Sequence, residues 1–111
     1  MAFPISSSLL DAVVLAIVAK DSESYGYKIT QDVRTVMDVS ESTLYPVLRR
    51  LQKEEYLETY DREFQGRNRR YYKVTAKGFQ ILAQYQKDWI LYKTNINKIL
   101  IGDSVFKRGK T

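Results

Sequence analysis

Ser40-Glu41-Ser42-Thr43-Leu44-Tyr45-Pro46-Val47-Leu48-Arg49-Arg50-Leu51, followed by Gly66-Arg67-Asn68-Arg69-Arg70-Tyr71-Tyr72, decides how this chain is read. In the first stretch Leu44, Val47, Leu48 and Leu51 recur at the spacing of one helix face. At about 100° per residue the opposite face carries Ser42, Pro46, Arg49 and Lys53, flanked by Thr43 and Arg50 on one side and Tyr45 on the other. Ser40 suits an N-cap and Glu41 the positive end of the helix dipole. The helix is predicted from Ser40 to about Tyr56. Pro46 lies beyond its first turn and removes an i−4 hydrogen bond, so a kink or a short 3₁₀ start is expected there. The second stretch reads as the tip of a β-hairpin loaded with guanidinium groups. Leu57 to Phe64 and Arg69 to Val74 are rich in Thr, Tyr, Phe and Val, and Gln65-Gly66-Arg67-Asn68 supplies the turn. Period-two alternation puts Tyr72 and Val74 on one face, Tyr71 and Lys73 on the other.

Upstream, residues 7–20 read as a helix capped by Ser7 or Ser8. Leu9, Leu10, Val13, Val14, Ile17 and Val18 give it an apolar face wide enough for packing from more than one side. Tyr25 to Val36 reads as a second, weaker helix on Tyr25, Ile29, Val33 and Val36. Gly26 near its start is less favourable than Ala by about 1 kcal/mol. Close approach of another helix accounts for it better than a phosphate does, because two tyrosines flank it rather than further glycines. Downstream, Thr75 fits the N-cap of a long last helix reaching about Leu100. Its Leu82, Tyr85, Trp89, Tyr92, Ile96 and Ile99 are spaced 3, 4, 3, 4, 3, which is the a/d seam of a coiled coil. A lone helix on a small core needs no such seam, so a homodimer interface is expected. Packing against the first helix of the same subunit is the alternative. Gly102 ends the helix.

Helix, helix, helix, hairpin, long helix is a mainly α chain with a small β-hairpin. The reading is a winged helix-turn-helix over residues 1–77, one long C-terminal dimerisation helix over 78–101 and a flexible basic tail over 102–111. In such an arrangement the third helix enters the major groove of double-stranded DNA and the hairpin lies on the backbone or in the minor groove. Charge is distributed to match. Residues 1–39 carry three basic against five acidic side chains, residues 40–77 nine against six, and residues 78–111 six against two. Candidate DNA contacts are Ser42, Thr43, Tyr45, Arg49, Arg50 and Lys53 on the helix, and Arg67, Asn68, Arg69 and Arg70 on the hairpin. The hydroxyls sit at a helix N-terminus, where backbone N–H groups meet phosphate. Arg offers a bidentate fork to phosphate or guanine that Lys lacks. The ordinary alternative for Arg49 and Arg50 is a solvated face with Glu–Arg pairs. For the hairpin that alternative is weaker. Three arginines within four residues, with no acid among them, repel one another in the free protein, so an anionic partner accounts for them.

Composition narrows the function classes further. The 111 residues contain no Cys and no His, which removes disulfides, thiolate metal sites, and the commonest general base and metal ligand. No catalytic residue, metal site or cofactor is expected, and the chain is not read as an enzyme. Asp61 and Glu63 alternate on one strand face among Arg62, Arg67 and Arg69, as charge partners rather than an acid–base pair. No apolar run nears the roughly 20 residues of a bilayer span, and no leader pattern opens the chain, so a cytoplasmic location with no membrane partner is expected. Trp89 stands in the middle of the seam. With Tyr85 and Tyr92 it would wall a pocket for a planar aromatic small-molecule effector, or form an aromatic dimer core with no ligand. A winged-helix protein-interaction module without sequence-specific DNA binding is the alternative for the whole chain.

These residues resemble the PadR-like transcriptional regulators. Leu9 to Leu15 followed by Tyr25-Gly26-Tyr27 looks like the family's opening. Ser40 to Leu51 looks like its recognition-helix signature, and Gly66 to Thr75 like its wing signature. The resemblance implies a homodimeric repressor on an inverted-repeat promoter site, with Tyr45 and the wing arginines as DNA contacts. The single last helix is similar to that of the short subgroup containing the lactococcal multidrug resistance regulator. Trp89 matches a drug-stacking tryptophan there, which implies multidrug sensing. Ser42 and Asn68 stand where the family often has Gly and Pro, and Glu55 replaces a frequent Gly at the recognition-helix end.

Overall fold

A computed structural model describes residues 6–102. The elements in order are α1 (Ser7–Lys20), β1 (Ser24–Tyr25), α2 (Gly26–Arg34), α3 (Glu41–Lys53), β2 (Leu57–Phe64), β3 (Arg67–Val74) and α4 (Ala76–Leu100). The strands form one antiparallel sheet in the order β1-β3-β2. The fold class is therefore the expected one, mainly α with a small hairpin, plus a short third strand. The basic tail expected over 102–111 lies outside the described residues from 103 onward.

Helix α1 is central, as its wide apolar face requires. It buries Leu10, Val14, Leu15 and Val18, against Ile29 and Val33 of α2 and Leu44, Leu48 and Leu51 of α3. Each such side chain contributes about 1.5–3 kcal/mol by leaving water. The cap is Ser6 rather than Ser7 or Ser8: its hydroxyl accepts the Leu9 N–H at 3.1 Å. The second helix is also shorter than expected. Tyr25 is extended (φ −120°, ψ 163°) and pairs with Tyr71, and α2 stops at Arg34. Pairing with a strand 46 residues away overrides the local helical spacing.

Helix α3 starts at its expected cap, where Ser40 Oγ accepts from the Thr43 N–H at 3.2 Å. It continues through Pro46 without a break. It ends at Lys53, not at Tyr56. Glu55 takes a left-handed φ of +68°, the Tyr56 N–H donates to the Leu51 carbonyl at 2.9 Å, and the Glu55 N–H donates to the Gln52 carbonyl at 3.0 Å. This is a Schellman stop with Glu where Gly would be unstrained. The hairpin turn is two residues rather than four. Gln65 and Gly66 both have positive φ, as a type I′ turn demands, and Arg67 and Asn68 belong to β3, opposite Phe64 and Glu63.

The root of α4 is tightly joined to the α3–β2 corner. Thr75 Oγ1 accepts the Gly78 N–H at 2.9 Å and donates to the Glu55 carbonyl at 2.6 Å. A Cβ on Gly78 would lie 2.1 Å from the Tyr56 carbonyl oxygen, so no larger residue fits without moving the backbone. Leu82 enters the core and Tyr85 packs against it. From Gln86 to Leu100 every residue is exposed. This projecting half gives the chain its long axis of 65 Å against 28 and 20 Å. No helix among the described residues is long and apolar enough to cross a membrane.

Candidate nucleic-acid interface

Leu44, Leu48 and Leu51 of the α3 stripe are fully buried and Val47 is half-buried, which leaves Ser42, Thr43, Arg49 and Lys53 exposed on the outer side. Tyr45 is half-buried, its ring lying against Gly26: a Cβ there would sit 2.9 Å from Tyr45 Cε1. The close approach expected at Gly26 is thus made by the third helix. The contact locks the start of α2 to the middle of α3, and it leaves Tyr45 on the wall of a cleft of about 660 Å3. The other wall is the hairpin, with Arg67, Asn68, Arg69 and Arg70. Tyr72 forms part of the lining between them. Burial pushes its phenol up, while the positive charges of Arg70 and then Arg49 oppose that shift. One charge from the wing and one from α3 therefore act on the same Tyr72 hydroxyl.

The arginines of this region are not equivalent. Arg50 turns away from the cleft, onto the buried carboxylate of Asp11 in α1, and bonds Glu54 at 3.2 Å along its own helix. Its guanidinium braces α3 against α1. Arg70 lies 3.5 Å from Asp61, its cross-strand neighbour, a long and exposed contact worth little. Arg69 is half-buried between aromatic rings. Arg67 is exposed and, among the described residues, makes no ion pair with an acidic group. Of the three tip arginines, Arg70 alone approaches a carboxylate among the described residues.

The aromatic residues of α4 gather at a second site. Tyr85, Trp89 and Tyr92 line a groove of about 380 Å3 with Ser8, Leu9 and Asp88. The Trp89 and Tyr92 rings are 6.2 Å apart and tilted by 35°. Burial pushes the Tyr85 phenol up. Of the six expected seam residues, Leu82 belongs to the core of its own subunit and Tyr85 packs partly against it. Trp89, Tyr92, Ile96 and Ile99 are open, together with Ile90 and Leu91, which the seam spacing does not include. The expected seam therefore divides along the helix: its first half packs within the chain's own core, and an uncovered apolar surface remains on its second.

Two features of the interface escape a reading by periodicity. Asp11 sits on an otherwise apolar helix face, and its partner lies 39 residues away. Phe64 is an exposed aromatic at the turn, and only the folded hairpin brings it over Arg69.

Residues 14–84 match the model of the transcriptional regulator PadR-like family. The chain is 42% identical to the smu.1704 protein of Streptococcus mutans, with a TM-score of 0.84, 99% of this chain and 100% of that one being covered. It is 32% identical to a PadR-like transcriptional regulator of Bacillus cereus, with a TM-score of 0.77 over 86% and 94% of the two chains. An uncharacterized protein of Lysinibacillus sphaericus is 32% identical over 84% of this chain and 89% of its own length. With its winged helix, capped third helix and arginine-bearing hairpin, the chain belongs to the PadR-like family of transcriptional regulators.

Proposed function

We propose that this chain is a homodimeric, cytoplasmic repressor that reads an inverted-repeat promoter site. Residues 1–77 form the DNA-binding unit and residues 78–101 the pairing helix. The observation that supports this reading is the cleft in which Tyr45 of α3 faces the wing residues Arg67, Asn68, Arg69 and Arg70, with Tyr72 between them. In it, α3 lies in the major groove, with Ser42 and Thr43 near phosphate, Tyr45 against phosphate or a thymine methyl, and Arg49 and Lys53 toward the backbone or guanine edges. Arg67, Asn68, Arg69 and Arg70 follow the backbone or an adjacent minor groove. Arg50 acts through α1 rather than on DNA. The second copy covers the open half of α4, where Trp89, Ile90, Leu91, Tyr92, Ile96 and Ile99 are exposed together, the kind of apolar patch that marks a protein–protein contact.

The test is binding of the chain to its own promoter region across a salt series. Sequence preference over bulk DNA and sedimentation as a dimer at micromolar loading are expected. A solitary subunit that binds an acidic protein and ignores DNA would instead favour a protein-interaction module. Arg69→Ala is expected to weaken binding to all sequences alike and to reduce the log–log salt slope by about 0.9 for each phosphate that is no longer neutralised.

A planar aromatic effector is a second part of the proposal, supported by the groove that Trp89 and Tyr92 share with α1. A ligand there relieves repression only if it prefers one dimer shape over another, typically by about 1–3 kcal/mol. Quenching of the single tryptophan by a planar cation, with operator affinity unchanged, would mean binding without control.

A further inference from the structure

The outer half of the hairpin has no core beneath it. From Asp61 to Asn68 every side chain is exposed, and Arg69 is the half-buried exception. Such a ribbon holds its shape poorly in water unless something other than a core supports it. Its register also sets two like charges directly opposite, Arg62 across from Arg69, which is unfavourable. The face of the sheet turned away from the core resolves both problems. Arg62 leaves the pair in one direction: its guanidinium lies 4.4 Å from the Tyr71 ring centre and is held by Glu23. Arg69 leaves in the other, 3.9 Å from the Tyr25 ring centre and 3.8 Å from that of Phe64. Tyr25 is anchored in turn, its ring edge-on to Tyr71 at 5.7 Å and its backbone paired with the same residue. Among the described residues no carboxylate pairs with Arg69.

We propose that Tyr25 and Phe64 are positioning residues for DNA binding: they clamp the Arg69 guanidinium flat between two rings so that its N–H edge is presented to the duplex. The chemistry favours this use. Aromatic faces attract the flat face of a guanidinium, while all its hydrogen-bond donors lie in its plane and stay available at the edge. A carboxylate would satisfy those same donors; a ring does not. The clamp also holds the edge before DNA arrives, so less side-chain freedom is lost on binding. Arg69 lines the same cleft as Tyr45, Arg67 and Arg70, which is where that edge would meet a phosphate or a narrow minor groove. The exposed Phe64, costly in water at 42% exposure, gains a purpose in this arrangement.

This inference rests on the DNA-binding reading of the wing, and one cycle of variants separates the two. Operator affinity and its salt slope are measured for wild type, Phe64→Leu, Phe64→Trp, Arg69→Ala and the double variant Phe64→Leu/Arg69→Ala, with unfolding monitored alongside. Phe64→Leu keeps an apolar side chain but no ring face. It is expected to weaken binding about three- to fivefold and to lower part of the slope that Arg69→Ala removes. Phe64→Trp restores both. In the Arg69→Ala background, Phe64→Leu changes nothing further. Equal weakening by Phe64→Leu in both backgrounds, or none while Arg69→Ala weakens binding, overturns the clamp and leaves the wing reading intact. Binding and slope indifferent to Arg69→Ala overturn that reading and the clamp together.

Discussion

Helix α3 and the wing carry the same cation on their outer surfaces and hold it by opposite means. The helix is secured from below. Leu44, Leu48 and Leu51 are fully buried, and Arg50 is tied to the buried Asp11. The wing is secured from outside. Beyond Tyr72, Val74 and Leu57 nothing apolar underlies it, and rings and guanidinium groups on its far face hold one another. A helix can lose an outer charge and keep its place, because its position is a property of the core. A hairpin tip depends on the same side chains for its shape and for its contacts. Under the proposed function, stability and recognition are therefore separable in α3 and joined in the wing.

The largest expected contrast is in stability. Leu48→Ala should cost about 3 kcal/mol in a urea melt, as a fully buried core leucine. Phe64→Ala at the tip should cost about 1 kcal/mol or less, while reducing DNA affinity more than any core variant that still folds. Equal destabilisation at the two sites would erase the distinction. A smaller effect separates neighbouring arginines. Arg50→Met leaves Asp11 without its partner and should lower stability by about 2 kcal/mol, below the full buried-pair value because the Arg50 side chain is 40% exposed. Arg49→Ala should stay within about 0.5 kcal/mol yet reduce the salt slope of DNA binding, which Arg50→Met should not. A slope change from Arg50→Met would return that residue to the DNA surface. An effect of the opposite sign is expected at the joint between the two elements. Glu55→Gly relieves the left-handed strain at φ +68° and should raise stability by about 0.5–1 kcal/mol with no change in DNA affinity. A neutral or negative result would mean that other contacts of Glu55 offset the strain.

Much of the site is legible in the residues themselves, for reasons of short range. The α3 stripe is read from the spacing of Leu44, Leu48 and Leu51, because a helix presents every third or fourth residue to one side whatever surrounds it. The Ser40 and Thr75 caps are legible because each hydroxyl meets an N–H three residues on. The hairpin is legible from its β-rich strands and its Gly, although the turn proves to be Gln65-Gly66 alone. Four-residue turn chemistry and a two-residue turn extended by strand pairing look alike until the register is known. Tyr25 is misread for a similar reason, its helical spacing being outweighed by a strand partner far along the chain. The α4 seam is half legible: the spacing is real, but the same period serves Leu82 inside its own subunit and Ile99 outside it.

Alone, the linear order of residues determined the types of the four helices and the hairpin, the basic character of the third helix and hairpin, and the kinship of the chain, since each depends on local propensity or on a pattern of neighbours. Tertiary structure decided which arginine does what. Arg50, Arg62, Arg69 and Arg70 have much the same charge and stem, and their surroundings along the chain are similarly polar. What distinguishes them is a carboxylate on α1 for Arg50, the Tyr71 ring and Glu23 for Arg62, the rings of Tyr25 and Phe64 for Arg69 and an acid on the facing strand for Arg70, and only folding brings those within a few ångströms. Electrostatic and ring contacts fade over such distances, so no reading along the chain could rank them.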